Sequence, residues 1–370
     1  MFSIIRNLLI FFILLFFVYL IVSLIVKRKI IQKREIELQI EAQTNLEEEA
    51  KLQEGFTFNT QNGELSSIKV SSGSLVIKNV SKNTNLPLRE FCIKASYNSA
   101  LTGNYINTDM IKYVLSRGCR FLDFEVYSIK DKPYVAYSTS STFDSQTENT
   151  VLLSDVLKTI AQSGFMAPSP NPQDPLFIQF RIKTTDNDLY IQIAMSLHEN
   201  LKTRLYKGKV NGSTPLSELL GKIIIVIDRS TSPNYSCNLS SSTTNQKYNL
   251  KNYVNMESGG NNLRIFKYSQ IMNQQTTPIY VNDDGITTTS NCNTGNTMKL
   301  VVPDIGYNII GISRNPSPIQ LITDYGVQII AYRFYQVDSN LQSYEQLFSD
   351  GQSAFTPMAQ VLNSINNPKD

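Results

Sequence analysis

Histidine is nearly absent from this 370-residue chain, in which His198 is the only one. Any mechanism that needs two imidazoles within one chain is therefore excluded. Cysteine is also scarce: Cys92, Cys119, Cys237 and Cys292 are too few for a disulfide scaffold. Neither charge sign dominates. The net charge is +3 with 18% charged residues, and no basic stripe or C-x-x-C pair marks a nucleic-acid binder. What the chain does have is 41% hydrophobic residues and the length for one large core or two small ones.

Leu8 to Val26 reads LLIFFILLFFVYLIVSLIV, nineteen residues without a charge. At a rise of about 1.5 Å per residue, such a helix nearly matches a hydrocarbon core of roughly 30 Å. A secretory signal has a shorter apolar stretch and a small-residue cleavage site, which does not follow here. A retained transmembrane anchor over residues 1–27 is expected. Arg6 alone precedes the run, whereas Lys27, Arg28, Lys29, Lys33 and Arg34 follow it. That asymmetry puts the N-terminus outside and the large C-terminal part in the cytosol, as a single-pass membrane protein. Unpaired cysteines suit that reducing side, where the sequons at Asn79, Asn211, Asn234 and Asn238 would go unused. Residues 28–54 read as a charged helical stalk, and 55–87 as a linker or a small strand pair.

From residue 88 to 370 the pattern is one of short apolar runs separated by helix-period stretches. The runs are FCIKA, FLDFEV, PYVAYS, PLFIQFRI, KIIIVID and VQIIAYRF; between several lie segments such as TDMIKYVLSRG, LLSDVLKTIAQSG and LYIQIAMSLHENLKTRLY. Strands buried on both faces and alternating with helices imply a parallel α/β architecture. About eight such units over roughly 280 residues favour a (β/α)8 barrel over an open sheet. The Ser/Thr/Asn-rich region from Thr231 to Thr297 breaks this rhythm and reads as long surface loops.

Several of these segments carry a family resemblance. IKASYNSALTGNY, RGCRFLDFEV and PYVAYSTS resemble, in order and spacing, segments of the phosphatidylinositol-specific phospholipase C X region. DPLFIQFRI, TPLSELLGKIIIV and the closing YGVQIIAYRFYQVDSNLQSYEQLFSDG are similar to later parts of the same barrel, so the resemblance covers about residues 88 to 360. It implies a distorted TIM barrel of the phospholipase C-like phosphodiesterase type, here preceded by one transmembrane helix and a helical stalk.

The family's functional positions carry over one at a time. Its two catalytic histidines, general base and general acid, fall on Tyr97 and Tyr137. Its calcium ligands fall on Asn98, Asp123, Glu125 and Arg181, the last replacing a glutamate. Two lysines that hold ring phosphates in eukaryotic members fall on Val226 and Asp228. General acid–base catalysis is worth about 10²–10⁴-fold per group, and an ordinary tyrosine, with a pKa near 10, is a poor base at pH 7. The resemblance thus implies a pseudoenzyme without catalytic residues. No cofactor is expected, and calcium is the one ion that Asn98, Asp123 and Glu125 would take. Asp123 and Glu125 alternate on one strand and should share its inward face. Arg181 beside them would stand in the calcium's place, there to bind a phosphate or to seal the pocket. His198 belongs to an outer helix, away from the barrel chemistry.

The expected role is a lipid- or phosphoinositide-binding, or structural, membrane protein, with the membrane, a phospholipid head group and other proteins as partners. Resemblance to single-span products of large DNA viruses implies a virion or host internal membrane. An active phosphodiesterase using Asp123 or Glu125 as base, with a metal or Arg181 as electrophile, is the alternative. A receptor ectodomain would need the reversed topology.

Overall fold

The computed structural model describes residues 61–138, 145–184, 186–236, 248–276, 279–281, 287–289, 297–304 and 315–366. The expected anchor, the stalk and residues 55–60 of the linker lie outside them. No described helix is long and apolar enough to cross a membrane.

The strands are β1 (Phe91–Ser96), β2 (Phe121–Ile129), β3 (Lys132–Ala136), β4 (Val151–Leu152), β5 (Leu176–Lys183), β6 (Ile223–Asp228), β7 (Met256–Ser258), β8 (Leu263–Lys267), β9 (Ile279–Val281), β10 (Thr287–Thr289), β11 (Met298–Val302), β12 (Ile329–Tyr332) and β13 (Phe355–Pro357). The helices are α1 (Gln61–Val70), α2 (Thr108–Ser116), α3 (Leu153–Ser163), α4 (Asn187–Leu201), α5 (Tyr268–Met272), α6 (Pro318–Thr323), α7 (Ser339–Gly351) and α8 (Met358–Asn366).

Eight strands (β1, β2, β5, β6, β7, β8, β11 and β12) pair in parallel, and the ring closes because β1 bonds to both β2 and β12. This is the TIM-like barrel that the alternating pattern implies. Strands such as FCIKAS and IIIVID are buried at every position, as a sheet covered on both faces requires. Helix α3 shows how the cover is built: Leu153, Val156, Leu157 and Ile160 recur at helical spacing and are fully buried, while Asp155 and Lys158 pair on the outer side. Each such aliphatic side chain contributes about 1.5–3 kcal/mol by leaving water. Three of the helices start on side-chain caps: for α2 Asn107 accepts from the Asp109 amide, for α4 Asp186 from that of Asp188, and for α7 Asp338 from that of Leu341. On the outside of β1, the buried ammonium of Lys94 lies 3.3 Å from the Glu345 carboxylate of α7, which Arg117 also grips.

Three sequence expectations differ from the structure. PYVAYS is not a barrel strand: β3 turns back antiparallel on β2, with Val126 opposite Val135. Lys132 is exposed and Tyr134 half-buried, whereas Pro133 and Val135 between and beside them are buried, as a strand covered mainly on one face shows. The stretch read as loops after Thr231 contains β7, β8 and α5, strands too short and polar to show as buried runs. Parallel neighbours normally need a crossover of a dozen residues or more. β7 and β8 are joined by residues 259–262 alone and share one paired position, Ser258 with Leu263. The chain steps sideways at Gly259, where φ is 79° and a Cβ would lie 3.3 Å from the Ser230 amide. Finally, the segment read as a linker or strand pair holds α1, which buries Leu65 and Ile68.

Candidate functional site

The C-terminal ends of β1, β2 and β5 bring the predicted site residues together. In the β2–β5 register Asp123 faces Gln179, Glu125 faces Arg181, and Tyr127 faces Lys183. Alternation then puts all six on the interior face of the barrel. Arg181 sits at the centre. Its Nε donates to Asp123 Oδ1 at 3.0 Å, and Nη2 donates to Asp123 Oδ2 at 2.7 Å and to Asn98 Oδ1 at 2.8 Å. Nη1 donates to the Tyr97 hydroxyl at 3.1 Å and to Glu125 Oε1. Those five bonds use all five guanidinium N–H groups. The Tyr97 ring also covers the cation, 4.4 Å from its centroid.

The surroundings complete the network. Asn98 adopts a left-handed φ of 41°, a conformation asparagine tolerates better than most residues. Its backbone amide can then donate to Asp123 Oδ2 at 3.1 Å. The other oxygen of Glu125 accepts from the Tyr127 hydroxyl at 2.6 Å, and Lys183 Nζ lies 3.1 Å from it. Two carboxylates thus face two cations. Asp123 and Glu125 are fully buried, and Arg181 is 2% exposed. Charges this deep persist only when paired and hydrogen-bonded.

Burial pushes the Tyr97 phenol well above its ordinary range, and the nearby Arg181 opposes this only in part. Tyr137, edge-on to Tyr97 at 6.4 Å, is raised by burial and then by Glu125. Neither phenol yields a base at neutral pH. Burial works to lower Arg181, but Asp123, Tyr97 and Glu125 outweigh it and hold the guanidinium charged.

Tyr97, Tyr137, Asn98, Asp123, Glu125 and Arg181 are therefore brought together at one end of the barrel. The residues do not fit calcium: the oxygens of Asn98, Asp123 and Glu125 that would bind it are turned onto a guanidinium. Val226 is buried in β6, and Asp228 accepts from the Ser230 and Thr231 hydroxyls at 2.6 Å each. His198 lies on α4, its Nδ1 3.2 Å from the Tyr253 hydroxyl, remote from this network.

Sequence reasoning missed Gln179, Tyr127 and Lys183, although 179 and 183 share the parity of Arg181 and 127 that of Glu125. It also missed Lys267 and Arg333. Lys267 ends β8, is held to about 8 by burial and then by Arg181, and makes no ion pair with a described residue. Asp228, Asp123 and Glu125 act on it electrostatically, which places it at the same end of the barrel. Buried Arg333 follows β12 and acts on Tyr137.

Residues 84–229 match the family model of the phosphatidylinositol-specific phospholipase C X domain. The resemblance to that family is borne out. The X-domain match contains every site residue from Tyr97 to Asp228 but ends before Lys267. Among solved structures, the barrel is similar to the crystal structure of L. pealei PLC21, with a TM-score of 0.52 and 17% identity over 75% of this chain. S. officinalis PLC21 gives the same score and identity over 76%. The chain spans 38% and 39% of the length of those two proteins. A calcium-dependent phosphoinositol-specific phospholipase C from a Pseudomonas species is similar over 75% of this chain and 97% of its own, with 12% identity and a TM-score of 0.45. At these identities the likeness is one of fold. No curated protein sequence matches the chain.

Proposed function

We propose that this protein is a catalytically silent phospholipase C-like barrel that binds the phosphate of anionic lipid head groups, held at a membrane by the apolar run from Leu8 to Val26. One observation carries this reading: Arg181 spends all five donors on its own chain, among the residues to which the resemblance assigns calcium. With the oxygens of Asn98, Asp123 and Glu125 engaged, and tyrosines of raised pKa at the two positions where the resemblance puts histidines, neither Tyr97 nor Tyr137 is poised to take the proton of phosphodiester cleavage. Anion binding is supported by Lys267, a cation at the mouth without an ion-pair partner among the described residues. A compact ammonium of this kind suits a phosphate oxygen.

The test is an assay of the full chain with phosphatidylinositol and phosphatidylinositol phosphate vesicles, with calcium and with chelator. Vesicle binding without released inositol phosphate is expected. Turnover would overturn the silent-barrel reading, and binding that Lys267→Met leaves unchanged would overturn the head-group reading.

A further inference from the structure

Helix α1 grips the loop that carries Tyr97 and Asn98. The Glu64 carboxylate accepts from the Thr102 hydroxyl at 2.6 Å, from the Asn104 amide at 3.1 Å and from Asn104 Nδ2 at 2.8 Å. Gln61 adds a bond from Nε2 to the Ile106 carbonyl at 2.8 Å. The loop is closely fitted there: Gly103 has φ 141°, and a Cβ at that position would lie 3.3 Å from Glu64 Oε2. Hydrogen bonds to a carboxylate are about twice as strong as neutral ones, so Glu64 is the main tie between α1 and this loop.

The same loop is braced internally and anchored at its base. The Thr102 amide donates to the Tyr105 carbonyl at 3.0 Å, and that of Asn107 donates to the Ala100 carbonyl at 2.7 Å. At the base, the Asn98 amide donates to Asp123 Oδ2, the Ser99 amide donates to the Asp123 carbonyl at 2.8 Å, and the Ser99 hydroxyl receives the Asp123 amide at 3.0 Å. A stiff hairpin-like loop thus has Glu64 at its tip and the Arg181 network at its foot.

We propose that Glu64 is a positioning residue for the barrel mouth: through loop 97–107 it holds Tyr97 and Asn98 against Arg181. The docking of α1, the first described element after residues 1–60, then governs how firmly the mouth is built. The consequence for ligands rests on the head-group reading above; the positioning itself does not.

Hydrogen exchange of the full chain in membrane mimetic, without ligand, tests it. Glu64→Ala is expected to speed exchange at least tenfold at the Asn98 and Ser99 amides as well as at Asn104. Asn104→Asp, which sets a second carboxylate against Glu64, should do the same, and adding Glu64→Gln should restore protection. Faster exchange confined to residues 102–104 would overturn the proposal, because a merely local tie would do only that. Should Glu64→Ala fail to fold, Thr102→Val removes one bond from the loop side and is read at the same amides. The readout needs no ligand, so it stands even if vesicle binding is absent.

Discussion

Arg181 and Asp123 form a two-pronged pair, Nε to Oδ1 at 3.0 Å and Nη2 to Oδ2 at 2.7 Å, in the barrel interior. The planar guanidinium matches the carboxylate in a way lysine could not. The pair is also the foot on which Asn98, Tyr97 and Glu125 stand. Disturbing it should be felt in stability before it is felt in any ligand.

Arg181→Met leaves Asp123 without its cation and Glu125 with Lys183 alone. Removing one partner of a buried pair costs about 3–5 kcal/mol. The melting temperature should fall by roughly 10 °C, taking about 2–4 °C per kcal/mol for a large domain. A drop under about 2 °C in a thermal melt would show that the network contributes little.

Arg181→Glu replaces the plug with a third carboxylate. Alone, it should destabilise more than Arg181→Met, because three anions then crowd one buried site. Added calcium should recover much of the loss, since ligand at about 100 times its Kd stabilises by about 2.7 kcal/mol. A melting temperature indifferent to calcium, together with no heat in calorimetric titration, would mean the oxygen set is not a latent cation site. Tyr97→His with Tyr137→His, in the Arg181 background, is expected to stay inactive.

Lys267 sets a pH dependence whose two signs differ. Burial, then Arg181, holds its pKa at about 8, below the ordinary lysine value. The folded state therefore gives up this proton before the unfolded chain does. The cost of keeping the ammonium charged is present in full below about pH 8 and fades as pH rises towards about 10.4. Stability of the unaltered protein relative to Lys267→Met should rise across that window. Head-group binding should move oppositely, weakening as pH passes 8, whereas Lys267→Arg should stay flat. A level binding profile from pH 7 to 9 in the unaltered protein would remove Lys267 from the site.

Lys94 and Glu345 give a comparison outside the mouth. Glu345→Leu strands the buried Lys94 ammonium and should cost about 3–5 kcal/mol, while Lys94→Met with Glu345→Leu should cost much less. Denaturant unfolding of the single and double variants measures this. Equal losses in both would show that Arg117 or the Phe334 and Phe348 rings near Lys94 matter more than the pair.

Much of the barrel was legible because period is a local property. FLDFEV, PLFIQFRI and IIIVID are buried on both faces, and runs of that length carry their own signature. β7 and β8 were not legible: three and five residues, with Glu257 and Arg264 among them, hold their places through neighbours rather than composition. β3 was misassigned because an apolar run does not say whether its partner is parallel or antiparallel.

The same division holds for the site. By itself the sequence determined that Asp123 and Glu125 alternate on one strand and so share a face, and that a mechanism needing two imidazoles is closed to this chain; that Tyr97 and Tyr137 fall on the family's histidine positions is what the resemblance implies. Side-chain identity and strand alternation suffice for the first two. Only the tertiary structure decided that Glu125 faces Arg181 and Tyr127 faces Lys183, that every donor of the guanidinium is used, and that Lys267 arrives from a strand some eighty residues away in sequence. Those outcomes depend on inter-strand register and on which buried charges meet, and both are set by packing across the whole barrel.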